Sequence, residues 1–204
     1  MKDIQNRNRR NSNKKVRGLA LLEILIAIGI LGIISAGVAT LASRTFEEQN
    51  ASLVNKSVAD LSISIKKAFS RAGGYSDDAD ALQKLVNAGA VAAESARNPM
   101  SNSNYGYDAI KKLPTAASGS AFVIQIDGLP DTLCRKIATG PLLQDAAYLS
   151  IAAAGSTGPD DFNATPSFPA ILKTLNGTAP ETNDPLQYNT LCTNGDNTIF
   201  YGAY

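Results

Sequence analysis

The stretch Gly18-Leu19-Ala20-Leu21-Leu22-Glu23, with the apolar run that continues from it to Leu41, decides the fold. Residues 19–41 make up 23 positions, and Glu23 is the only charged one among them. As a helix rising ~1.5 Å per residue, such a run spans roughly 34 Å, enough to cross a bilayer. Insertion scales put an ionisable side chain inside such a run at a penalty of about 3 kcal/mol. An acid kept there against that penalty calls for a functional reason.

On the N-terminal side, residues 1–18 carry seven Lys/Arg, including Arg7, Arg9, Arg10, Lys14, Lys15 and Arg17, against a single Asp. By the positive-inside rule this segment stays cytoplasmic and the chain from Phe46 onward emerges across the membrane. A secretory signal peptide fits poorly. The apolar run is too long, and Ala36-Gly37-Val38-Ala39 is only an approximation to a small-x-small cleavage site. The formal net charge of +1 hides an asymmetry, because residues 19–204 retain 12 basic and 17 acidic side chains. A mildly acidic body argues against a nucleic-acid-binding surface, which needs a basic patch.

On the C-terminal side the helix pattern continues to about Ala72 but turns amphipathic. Val54, Val58, Leu61, Ile65 and Phe69 recur at spacings of four, three, four and four, one helical face. Lys56, Asp60 and Lys67 fall opposite, and with them Ile63, a candidate contact to another subunit. No Pro precedes Pro99, so nothing forces a break in this helix, and Gly73-Gly74 supplies its stop. Ser76-Asp77-Asp78 predicts a capped helix over about Asp78–Asn87, closed by Gly89. The two acids read as favourable charge at a helix start rather than as metal ligands. A further helix is expected over Ala90–Ala96 and a polar loop over Asn98–Tyr107. Ala121–Asp127 alternates as a strand closed by Gly128, and Pro130-Asp131 starts a short helix carrying Cys134 that ends near Gly140-Pro141. Ala147–Ala153 and Thr198–Tyr201 are further strands, and Gly155–Pro169 is a loop. Ala170–Leu175 fits helix or strand, and Leu186–Leu191 leads into Cys192. The fold class is α+β. A long helix, half apolar and half amphipathic, packs on a small antiparallel sheet in an α/β head. The order of elements lacks the alternation of a Rossmann-like fold.

Cys134 and Cys192, both on the exported side, read as one disulfide. Closing so long a loop stabilises a fold by about 4 kcal/mol in the chain-entropy model. The chain contains no His, which removes Ser-His-Asp and Cys-His nucleophiles and the commonest metal ligand. No phosphate-binding loop or nucleophile elbow occurs either. No enzymatic activity, cofactor or metal is expected. Asn163-Ala164-Thr165 and Asn176-Gly177-Thr178 match a glycosylation sequon but read as loop chemistry.

The basic leader ending in Gly18, the hydrophobic Leu19 and the acid five positions past the glycine resemble the type IV pilins. Leu19 in place of Phe, the continuation Gly32-Ile33-Ile34-Ser35-Ala36-Gly37-Val38 and the size of the head resemble the type IVb branch, the group of the toxin-coregulated and bundle-forming pilins. The resemblance covers about residues 14–54. It implies that a prepilin peptidase removes residues 1–18 by cutting between Gly18 and Leu19, and that the Leu19 amine is then methylated. It further implies that residues 19–44 anchor the subunit in the inner membrane and later form the filament core, with 45–204 as amphipathic helix half and head. Glu23 would direct assembly, and Gly29, Gly32 and Gly37 would allow local unwinding of the helix in the filament. The implied partners are copies of the chain itself, the peptidase/methyltransferase, an inner-membrane assembly platform with its ATPase and an outer-membrane secretin. The function expected is that of a major pilin, supporting adhesion, aggregation, or conjugation and DNA transfer. A minor pilin, a type II secretion pseudopilin and a single-pass anchored periplasmic binding domain are the alternatives.

Overall fold

A computed structural model of the chain describes residues 12–78, 80–163, 170–175, 190–193 and 195–204. The secondary structure opens with helix α1 (Ser12–Phe69), followed by short helices α2 (Ala81–Asn87) and α3 (Ala93–Ala96). Strands β1 (Gly106–Ile110) and β2 (Ala121–Leu129) come next, then α4 (Asp131–Ala138), α5 (Pro141–Asp145), β3 (Tyr148–Ala153), β4 (Ala170–Lys173) and β5 (Asn197–Ala203). The chain divides into two compact units, Met1–Phe46 and Glu47–Tyr204.

Within the second unit the sheet has the order β1-β2-β5-β3-β4, with every neighbouring pair antiparallel. The last strand of the chain therefore sits at the centre. β2 and β3 run parallel to each other, joined in sequence through α4 and α5, and β5 fills the gap between them. All seven residues of β5 are buried, as a central strand covered on both faces must be.

Strand alternation divides the core in two. Phe122, Ile124 and Ile126 of β2, Leu149 and Ile151 of β3 and Ile199 and Tyr201 of β5 share one face. Against it pack Val54, Val58, Leu61 and Ile65 of α1, each fully buried. Each such side chain contributes about 1.5–3 kcal/mol through burial. Two polar pairs enter this contact: the Ser57 and Tyr105 hydroxyls lie 2.6 Å apart, and Ser62 hydrogen-bonds Tyr201. The other face carries Val123, Tyr148, Ala152 and Phe200, covered by Phe162, whose ring stacks on Tyr148 at 5.5 Å. The amphipathic stripe and the β2 alternation are thus found as the sequence predicts.

Several local expectations fail. α1 ends at Phe69, before Ala72. α2 starts at Ala81, not Asp78, because Asp78 turns back to accept the Asp80 N–H at 3.0 Å and pairs with Lys84. The helix expected over Ala90–Ala96 is confined to α3. The expected loop over Asn98–Tyr107 gives way to β1 from Gly106, which pairs with β2 over Gly106↔Gln125 to Ile110↔Ala121. Gly128 does not close β2. At φ +72° it forms a bulge between Ile126 and Leu129, and the strand runs through it. The sequence reading contains no counterpart of α5; Pro141 occupies its first turn, where a missing N–H is harmless. The Ala170–Leu175 alternative resolves as strand β4. Residues 164–169 of the expected loop, 186–189 of the approach to Cys192 and the second sequon at Asn176 lie outside the described residues.

The C-terminal strand is held at its start. Asn197, buried, sets its Nδ2 3.0–3.1 Å from the carbonyls of Leu129, Thr193 and Gly195, and its Oδ1 accepts the Thr193 N–H at 3.1 Å. The Cys134–Cys192 disulfide, with Cα atoms 5.9 Å apart, fixes the segment just before it to α4. At the end of α1 the tie is backbone to backbone: the Tyr75 N–H donates to Gly119 O at 2.7 Å. Gly119 has φ +70°, and a Cβ there would stand 2.3 Å from Tyr75 O. Gly89 has a similar φ of +72° with open space around it. Gly119→Ala therefore combines backbone strain with a backbone clash and should lower stability by about 2–4 kcal/mol. Gly89→Ala should lose only the strain part, about 1 kcal/mol. Denaturant unfolding of the full chain in detergent measures both, and equal losses would contradict this packing.

Candidate assembly surface

In the first unit the side chains described from Ala20 onward form no core. From Leu21 to Phe46 the apolar residues stand open around the helix, from 52% exposed at Ile30 to 77% at Ile33. A helix apolar on all sides belongs in a lipid bilayer or in a bundle of its own kind. This segment is long and apolar enough to cross a membrane. Polar groups at its end are turned inward to the backbone. The hydroxyls of Thr40, Ser43 and Thr45 donate to the carbonyls of Gly37, Thr40 and Leu41 at 2.8, 3.0 and 3.0 Å. That satisfies hydroxyls where water is scarce.

Gly18 and Leu19 lie within α1, on its backbone. Glu23 is exposed, one turn beyond Leu19, and makes no ion pair among the described residues. Gly29, Gly32 and Gly37 are helical, and a Cβ at any of them would meet nothing within 4 Å. Among the described residues nothing packs against these glycines, so the helix backbone there is open from outside. Cys134 and Cys192, the other residues singled out from sequence, lie in the head and form its disulfide.

The head contributes a second feature that sequence reading missed. A cleft of about 740 Å³ opens beside β1, lined by Asp77, Asp78, Asp80, Tyr107, Asp108 and Phe200 among others. Among the described residues no group of three or more His, Cys, Asp or Glu side chains is placed to hold a metal ion. Burial raises the Asp108 carboxyl above its ordinary pKa. The neighbouring Asp77, within hydrogen-bonding reach, and Asp160 push the same way, against the pull of the Ala109 N–H. Reading Asn98–Tyr107 as loop and assigning no element to Asp108–Ile110 is what hid this pair; the signal was the short alternation of Tyr107 and Ala109 against Asp108 and Ile110.

A raised acid pKa means that the folded chain takes up this proton more readily than the unfolded chain. The stability it contributes is complete below the ordinary carboxylate range and is lost as pH rises through the folded value. Asp108→Asn should therefore raise the unfolding midpoint of the full chain at neutral pH, with the difference vanishing below about pH 3.5. An Asp108→Asn variant less stable than the parent at neutral pH would overturn this assignment.

Residues 13–39 match the family model described as the prokaryotic N-terminal methylation motif. A toxin coregulated pilin of Vibrio cholerae is 31% identical over 147 residues, covering 68% of this chain and 63% of the relative. The toxin coregulated pilin of Vibrio cholerae serotype O1, strain ATCC 39315 / El Tor Inaba N16961, is 31% identical over 128 residues, covering 60% of this chain and 56% of the relative. The chain thus spans less than two thirds of the length of either. Among solved structures, TcpA, a type IV pilin from Vibrio cholerae El Tor biotype, superposes with a TM-score of 0.61 at 20% identity. That superposition covers 76% of this chain and 99% of TcpA, and at such identity it speaks to the fold. These relatives are pilins, structural proteins and not enzymes. Motif, relatives and fold agree, and they place the chain with the type IV pilins, among those similar to the toxin coregulated pilin.

Proposed function

We propose that the chain is the structural subunit, the major pilin, of a type IVb pilus. The observation that carries this reading is the exposed apolar segment from Leu21 to Leu41, for which the described residues supply no cover. Before assembly the cover is the inner membrane, with residues 1–18 in the cytoplasm and 45–204 in the periplasm. A prepilin peptidase cuts between Gly18 and Leu19 and the new amine is methylated. Residues 19–44 then leave the lipid for a helical bundle of identical segments at the filament core, with the heads outside. The assembly platform, its ATPase and the secretin are the machinery this route calls for.

Glu23 supplies the registration. The Leu19 amine is a cation that exists only once the leader is gone. A neighbouring copy's Glu23 can pair with it, so two charges that would each be costly in an apolar core satisfy each other. Such a pair acts through specificity and register more than through net stability. Gly29, Gly32 and Gly37 let neighbouring helices approach and allow the helix to unwind locally where the bundle is tightest.

Removing one member leaves the other charge buried and unpaired, a loss of about 3–5 kcal/mol. Glu23→Ala should therefore give processed, membrane-held subunits and at least about tenfold fewer sheared filaments than the parent. Parental filament yield from this variant would defeat the proposed role.

A further inference from the structure

The side of α1 that faces away from the sheet carries a second pattern. Leu53, Lys56, Asp60, Ile63 and Lys67 recur at spacings of three, four, three and four, the period of a helix-packing seam. All five are exposed, Leu53 at 54% and Ile63 at 64%. Within the head half of α1 these two are the large apolar residues left open, and they fall on the same side. Lys56, Asp60 and Lys67 take no part in the ion pairs formed among the described residues, which are Lys84–Asp78, Arg135–Asp131 and Lys136–Glu47.

The seam has two unlike edges. At about 100° per residue, Leu53 and Asp60 lie on one edge and Lys56 and Ile63 on the other, roughly 60° away. Each edge therefore pairs one apolar side chain with one charge, and the two charges are opposite. An edge of this kind does not complement itself, since Asp60 would meet Asp60. It complements the other edge of an identical helix, and such a contact between unlike faces of one chain propagates from copy to copy.

We propose that the Leu53/Asp60 edge of one copy packs against the Lys56/Ile63 edge of the next, with Asp60 paired to the neighbour's Lys56. This contact rests on the filament reading above and adds to it a charge-coded register in the head half of α1. Copies held in one membrane by the same N-terminal segment enter it the same way round, so the two helices run parallel. Asp60 and Lys56 are four positions apart, one helical turn, which their side chains bridge when the copies stand within about 6 Å of level. Lys67 lies at the last turn, past the paired residues. Exposed charges of this kind set register and partner choice more than affinity.

The test is complementation between copies in cells that express the full chain. Asp60→Lys and Lys56→Asp, each alone, should cut sheared filament yield at least threefold, because each places like charges at the contact. Expressed together in one cell, the two variants should restore yield to within twofold of the parent, since the lysine introduced at position 60 of one copy then meets the aspartate introduced at position 56 of the other. A contact inside one chain cannot be repaired this way. Parental yield from both single variants, or a mixture no better than either alone, overturns the proposal. If the single variants assemble normally while Glu23→Ala does not, only this contact falls. If the parent chain forms no filaments, the filament reading and this contact fall together.

Discussion

An apolar helix surface that none of the described residues covers is the constraint on which the rest depends. Between Leu21 and Leu41 the helix presents Leu, Ile and Val around its whole circumference, and the exposure is not confined to a stripe. Water does not tolerate such a surface, and lipid does. Neither medium explains Glu23, which is unfavourable in a bilayer and unnecessary in water. A bundle of identical helices explains both at once. It buries the apolar surface against itself and offers the acid a cation, but only where a free amine has been made one turn earlier in the helix.

The second half of α1 meets the same hydrophobic demand by a different route. Val54, Val58, Leu61 and Ile65 form one stripe, and the sheet takes it up face to face. The sheet in turn depends on its last strand. β5 is buried over its whole length and pairs with both β2 and β3, so neither half of the sheet is complete without the C-terminal residues. That is why the ties around its start are dense. The disulfide brings Cys192 to α4, and Asn197 brings the turn after it to the end of β2. Pairings between residues so distant in sequence form slowly and benefit from such restraints.

What was legible in the sequence follows the strength of each periodic signal. The apolar run, the amphipathic stripe to Phe69 and the alternation at Ala121–Asp127 each repeat over several periods, and each is found. β1 has five residues, one of them Gly, and beside its exposed Asp108 only Ala109 and Ile110 are buried, so alternation had too little length to register. Closely spaced acids ahead of α2 offer several possible caps, which is why the sequence places the start of that helix too early. The one that helps, Asp78, accepts the Asp80 N–H ahead of the helix and pairs with Lys84 inside it, without capping it. The central place of β5 could not be read at all: its strand character is local, but its neighbours are set by the whole topology. Gly18 and Leu19 were named through the resemblance of their stretch to the type IV pilins, and Glu23 through that resemblance and its place as the one charge in an apolar run. The edges of the outer seam needed the structure, which shows Leu53 and Ile63 open and their charged neighbours outside the ion pairs of the described residues.

The central claim is that the apolar helix finds its cover in other copies once a terminal amine has been exposed beside it. Intact-mass measurement of the chain recovered from sheared surface filaments tests this most directly. The account predicts a single mass beginning at methylated Leu19 with the disulfide intact. Surface material whose chain still carries residues 1–18 would contradict it, because no amine would then stand where Glu23 requires one.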